Sequence, residues 1–217
     1  MDFSLARRNM VDSQVRTNRV TDARLLDALE AVPREAFVPD AFKSIAYRDG
    51  DVEVGAGRRL LDPMVFARLV QEAHIQPTEV VLDVGCATGY STAVLARLAT
   101  TVVALESDRA LAGRAAALLA ELGVDNVAVV EGQLSEGEKA HGPYDVVMVE
   151  GAVAETPEAL LAQLAEGGRL LAITKRPGAV SAATLTLRVG GSFSTRTLFE
   201  VAAPVLPGFA RQPGFVF

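Results

Sequence analysis

From residue 78 onward the chain alternates short, almost wholly apolar runs with stretches of helical period, the pattern of a parallel sheet covered by helices on both faces. Val80–Val84, Thr101–Glu106, Asn126–Val130, Tyr144–Val149 and Arg169–Thr174 predict five strands. Between them, a helix from Tyr90 to Leu98 follows a glycine turn, and Ser107-Asp108 caps another that runs through Leu122 and stops at Gly123. Thr156-Pro157-Glu158 supplies an N-cap, a proline at the first helical position and an acidic first turn, predicting a helix to about Ala165 that Gly167-Gly168 breaks. After the fifth strand the period changes: Ala183–Val189 and Thr195–Ala202 alternate around Gly190-Gly191, an antiparallel hairpin at the sheet edge.

The first 77 residues follow another pattern. Thr21–Ala31 reads as a capped amphipathic helix ended by Val32-Pro33, and Asp62-Pro63 as an N-cap with proline at N1, opening a helix through about His74. The segment from Tyr47 to Leu61, rich in glycine, is too irregular for a core helix. The chain therefore divides into an N-terminal helical cap, residues 1–77, and an α/β core, residues 78–217, within one structural domain. The cap either covers a ligand and shapes a substrate cleft or packs as an appendage.

Composition narrows the chemistry. With 217 residues and 50% hydrophobic content the chain can bury a full core, and its net charge of -6 leaves no electrostatic footprint for a nucleic-acid backbone. No apolar stretch is long enough to span a membrane, and the start lacks the apolar core of a signal peptide, so the expected setting is cytoplasmic with no membrane partner. The single cysteine, Cys86, excludes an intrachain disulfide and reads as a small filler of the glycine turn or as a nucleophile without an evident base. His74 and His141 match no metal-ligand spacing, so no metal is expected.

Candidate site chemistry concentrates at strand ends. The run Val80 to Asp83 meets Gly85-Cys86-Ala87-Thr88-Gly89, where glycines let the backbone approach a ligand closely. About twenty residues on, the second strand ends in Glu106, the distance at which α/β nucleotide folds place the carboxylate that accepts ribose hydroxyls. The spacing Asp83-x-Gly85-x-x-x-Gly89 resembles motif I of class I S-adenosylmethionine (SAM) methyltransferases, with Ala87 where a middle glycine is common.

Further motifs select a family. Met10-Val11, Gln14, Arg16, Thr21-Asp22, Val32-Pro33-Arg34-Glu35-Ala36-Phe37-Val38-Pro39, Ala46-Tyr47-x-Asp49 and Gly55-x-Gly57 resemble the protein-L-isoaspartate O-methyltransferase family in order and spacing. The likeness continues through Leu82-Asp83-Val84-Gly85, Gly89-Tyr90, Leu122-Gly123, Asn126-Val127, Pro143-Tyr144-Asp145 and Gly167-Gly168-Arg169-Leu170, spanning roughly residues 10 to 175. It implies a class I SAM-methyltransferase (Rossmann-like) sheet and carboxyl O-methylation of isoaspartyl residues in damaged proteins or peptides, with S-adenosylhomocysteine as product. It implies a cofactor site of Asp83, Gly85, Cys86, Ala87, Gly89, Glu106, Ser107 and Gln133.

Two departures accompany it. Where the family reads Thr-Ile-Ser-x-Pro, this chain has Arg59-Leu60-Leu61-Asp62-Pro63, so Leu61 lacks the serine hydroxyl expected beside the reacting carboxylate. Gly132-Gln133-Leu134 stands where Gly-Asp-Gly is common, although an amide oxygen can still accept from an adenine amino group. Arg59, Leu61 and Asp62 are the expected substrate-side positions, with Arg58 or Arg59 on the substrate carboxylate or merely solvated, and Asp62 a helix cap or a repelling charge. A methyltransferase for another protein or small-molecule acceptor, and a SAM-binding module without turnover, are the competing readings.

Overall fold

The computed structural model describes residues 1–175 and 180–209. Its centre is a seven-stranded sheet in the order β5-β4-β3-β6-β7-β8-β9, with β3 Val80–Val84, β4 Thr101–Glu106, β5 Val127–Glu131, β6 Tyr144–Val153, β7 Leu164–Thr174, β8 Ala182–Val189 and β9 Ser192–Glu200. Strands β3 to β7 pair in parallel, and β8 and β9 add antiparallel at one edge. The chain fills one side of β3 with β4 and β5, then crosses to the other with β6 and β7. The order therefore reverses at the carboxyl ends of β3 and β6, the place where open α/β sheets bind ligands.

The helices are α1 Phe3–Met10, α2 Ala23–Ala31, α3 Pro63–Ala73, α4 Tyr90–Leu95, α5 Arg109–Glu121 and α6 Glu158–Leu161. Asp22, Asp62 and Asp108 each cap the helix that follows with side-chain acceptors for first-turn N–H groups. Residues 52–60, expected to be irregular, form an antiparallel hairpin of β1 Val52–Gly55 and β2 Arg58–Leu60, with Gly55 and Gly57 at positive φ.

Several predicted elements differ in extent; the last strand, for one, runs Ser192–Glu200 rather than Thr195–Ala202. The helix after the glycine turn ends at Leu95 rather than Leu98. The fourth strand runs four residues past Val149 to Val153, because β7 and the returning tail pair with its end. The helix expected to reach Ala165 stops at Leu161, since the Gln163 amide donates to the Glu136 and Ala159 carbonyls and the Gln163 carbonyl accepts from Tyr144 N–H. Those bonds hand residues 164–168 to the sheet.

The N-terminal region shares the core. Met10, Val15, Leu29, Phe37 and Phe66 are buried in one cluster with Val81, Tyr90 and Val102 of the α/β part. Thr88 Oγ1 donates to the Phe37 carbonyl (2.6 Å), tying that region to the glycine turn. After β9 the chain returns across the sheet, where Ala152 N–H donates to the Pro204 carbonyl and Leu206 N–H to the Ala152 carbonyl. Among the described residues no helix is long and apolar enough to cross a membrane.

Candidate active site

Three carboxylates stand at the strand ends around this reversal of strand order. Asp83, on β3, is fully buried; its Oδ2 accepts from Ser91 Oγ (2.7 Å) and Thr92 Oγ1 (2.6 Å), while Oδ1 has no partner. Burial pushes its pKa up to about 6 against those two hydroxyls. Glu150, on β6, is also buried, and its Oε1 is unpartnered. Burial and then the Asp83 charge hold it well above the ordinary carboxylate range. Glu150 lies one residue past the predicted end of the fourth strand, Val149, and so is not among the predicted site residues. Its signal was the one that identified Asp83 and Glu106, an acid at the end of an apolar run.

Glu106 closes β4 with no exposed surface. Its Oε2 accepts from Ala87 N–H (2.9 Å), and its Oε1 from Ser107 N–H (2.7 Å) and Asp108 N–H (2.9 Å). Arg58 reaches across from β2 and forks onto it, with Nη2 2.8 Å from Oε1 and Nε 3.1 Å from each oxygen. This pair is buried at both ends, and Arg58 Nη2 also donates to Ser107 Oγ (2.8 Å). Arg58 was expected near a substrate carboxylate or in solvent; it is engaged by the carboxylate assigned to the ribose.

The glycine turn is built as its sequence suggests, with Gly85 and Gly89 at φ +82° and +94°. Ala87, in the slot where a glycine is common, sits at φ 52°, a left-handed conformation unfavourable for a residue with Cβ. Gly89 is needed twice over, since a Cβ there would lie 3.2 Å from Ala115 Cβ of α5. Cys86 is buried, and burial together with the Asp83 and Glu106 charges pushes its thiol well up, against a nucleophilic role.

The substrate-side positions separate. Leu61 is buried and Arg59 half-exposed; both line a small cavity of about 10 Å³ with Arg34, Gly85, Tyr90 and Glu150. Arg59 leans 3.5 Å from Glu53 Oε2, its cross-strand neighbour in the hairpin. Asp62 Oδ1 accepts from Met64 and Val65 N–H, so its carboxylate serves α3. Gln133 is exposed, beside a turn that buries Leu134. Arg34, within the Val-Pro-Arg-Glu-Ala-Phe-Val-Pro run, is fully buried. Its Nε and Nη2 donate to the Ala46 and Leu61 carbonyls, its guanidinium lies 4.6 Å from the Tyr90 ring centroid, and its Nη1 is unpartnered.

A larger groove, about 570 Å³, lies between Arg24, Arg97, Leu122 and Asn126 and contains none of the predicted site residues. Asn126 there donates to the Ala96, Ala99 and Thr100 carbonyls, a structural joint between α4 and β5. Among the described residues no cluster of His, Cys, Asp and Glu could hold a metal ion.

Residues 6–202 match the family model described as protein-L-isoaspartate(D-aspartate) O-methyltransferase. A protein of Methylorubrum extorquens (strain PA1) named protein-L-isoaspartate O-methyltransferase is 39% identical over 208 residues, covering 95% of this chain and 91% of its own length. One of the same name from Koribacter versatilis (strain Ellin345) is 40% identical over 169 residues, 78% of this chain and 76% of its own. A solved protein-L-isoaspartate O-methyltransferase superposes at TM-score 0.82 with 24% identity, over 94% of this chain and 67% of that one. A Plasmodium falciparum structure, described as a putative enzyme of this kind in complex with S-adenosyl-L-homocysteine, gives 0.79 with 19% identity, over 96% and 99%. At that identity the two structures speak for the fold.

Proposed function

The chain belongs to the protein-L-isoaspartate(D-aspartate) O-methyltransferase family, and from that membership we propose that it methylates the free carboxyl group of isoaspartyl residues in proteins or peptides, drawing the methyl from SAM. The observation that carries this is the family match over residues 6–202, which takes in the cap as well as the fold common to SAM enzymes.

The residues present fit such a cofactor. At the reversal of strand order lies the Gly85 turn, which has no side chain of its own to bar a ligand, and two buried carboxylates, Asp83 and Glu150, each keep an oxygen without a partner. Unsatisfied buried acids are costly unless a cation or donor arrives, and the cofactor carries both an ammonium and a sulfonium. Asp83 and Glu150 would hold its methionyl end and Glu106 its ribose, with Gly85, Cys86, Ala87, Gly89 and Ser107 forming the wall and Gln133 at the adenine end.

When bound, SAM supplies an electrophilic methyl group on sulfur. The acceptor carboxylate is already ionised at neutral pH, so the protein needs no general base and contributes by orientation and by excluding water. Leu61 offers no hydroxyl, and Asp62 caps its helix through Oδ1 while its carboxyl also bonds Asp49. Recognition of the substrate carboxylate therefore falls to the cations that line the cavity, Arg34 and Arg59. The test is methyl transfer to an isoaspartyl peptide and to its normal aspartyl twin. Turnover of the first alone is expected; equal turnover, or none with SAM bound, would pass the assignment to another acceptor or to a non-catalytic module.

A further inference from the structure

The hairpin that carries Arg58 and the returning tail that carries Leu206 both pack onto the strand ends where the order reverses. Arg58 takes both oxygens of Glu106. Leu206, 4% exposed, lies over the two glycines at the strand-order reversal. A Cβ on Gly85 would stand 3.3 Å from its Cδ1, and one on Gly151 would stand 2.6 Å from its Cγ. The two segments also approach each other, with Pro207 Cγ 3.8 Å from the Cβ position of Gly57. Free space at the turn is small: the cavity beside Gly85, lined on the hairpin side by Arg59 and Leu60, measures about 10 Å³, room for one water molecule, where a ligand of cofactor size needs roughly 300 Å³ or more.

We infer that Arg58 and Leu206 are a built-in occupant of the cofactor cleft, which SAM must displace: the ribose hydroxyls exchange with the Arg58 guanidinium at Glu106, and Leu206 withdraws from Gly85 and Gly151. The inference rests on the cofactor reading above. Its physical basis is competition for the same groups. A carboxylate that accepts from a forked guanidinium and three backbone N–H groups has little capacity left for two further donors, and backbone under a leucine is closed to a ligand. A buried ion pair carries a desolvation cost that Arg58 recovers on moving out to water, while the ribose hydroxyls and the three backbone N–H groups keep Glu106 hydrogen-bonded. A binding-competent state populated only in part lowers apparent affinity by that fraction.

Calorimetric titration with S-adenosylhomocysteine tests this on the natural chain, Arg58→Gln and Leu206→Ala. Arg58→Gln retains a donor for Glu106 while removing the charge and the fork, and Leu206→Ala leaves the ion pair intact. Each should bind tighter than the natural chain, Arg58→Gln by at least about tenfold. Unchanged or weaker binding by either folded variant would overturn the inference and leave the cofactor reading standing. No binding by any of the three folded proteins would overturn both. If a variant does not fold, hydrogen exchange on the natural chain decides. Saturating S-adenosylhomocysteine should speed exchange of the Leu206 amide, now bonded to the Ala152 carbonyl, and unchanged or slower exchange would overturn the inference.

Discussion

Asp83 keeps its carboxyl wholly out of water, with one oxygen unpartnered and a pKa pushed to about 6. In the unfolded chain the same group titrates near 3.8. The folded protein therefore binds more protons between those values, and stability falls as pH rises through that window, levelling off above it. The shift corresponds to at most about 3 kcal/mol. Urea denaturation at pH 4.5 and pH 7 should show Asp83→Asn gaining on the natural chain at the higher pH; an equal difference at both would mean that the aspartate titrates normally. Such a cost is tolerated where the group does work, and a cationic ligand accepted by the free oxygen would relieve it. Glu106 differs in kind. It is fully partnered within the chain, and no pattern of residues along the sequence could announce that its partner comes from 48 positions earlier.

Elements show most clearly what a sequence can convey. The strands carry nearly continuous Val, Leu and Ile because both faces are covered, so Val80–Val84 and Thr101–Glu106 were readable to the residue. Capping is equally local. Asp62 accepts from the first-turn N–H groups of α3, and Asp62→Ala should cost about 1 kcal/mol in chemical denaturation. A role in α3 alone predicts unchanged turnover per folded molecule, and a large loss of turnover would return Asp62 to the substrate side. What escaped was decided by distant partners. The helix after Thr156 is cut short by the Gln163 amide bonding to Glu136, and β6 is lengthened past Val149 by β7 and the returning tail. The hairpin of residues 52–60 escaped because its alternation lasts only four and three residues.

In the whole molecule, the N-terminal region and the sheet are one body. Val11, Leu25, Phe37 and Phe66 are buried against Tyr90 and Val94, so we propose a single cooperative domain instead of a cap that can be removed. A fragment of residues 78–217 would expose that surface and should show no cooperative thermal transition; a sharp transition would mean that the α/β part folds alone. The same packing brings β2 onto β4 and the tail onto β6, and so places the chain's own Arg58 and Leu206 where the cofactor is assigned. The crystal structure of the full chain with S-adenosylhomocysteine tests that assignment most directly. It should place the ribose hydroxyls on Glu106 with Arg58 withdrawn and Leu206 lifted from Gly85. A ligand bound elsewhere, or one bound with the Arg58–Glu106 fork intact, would contradict it.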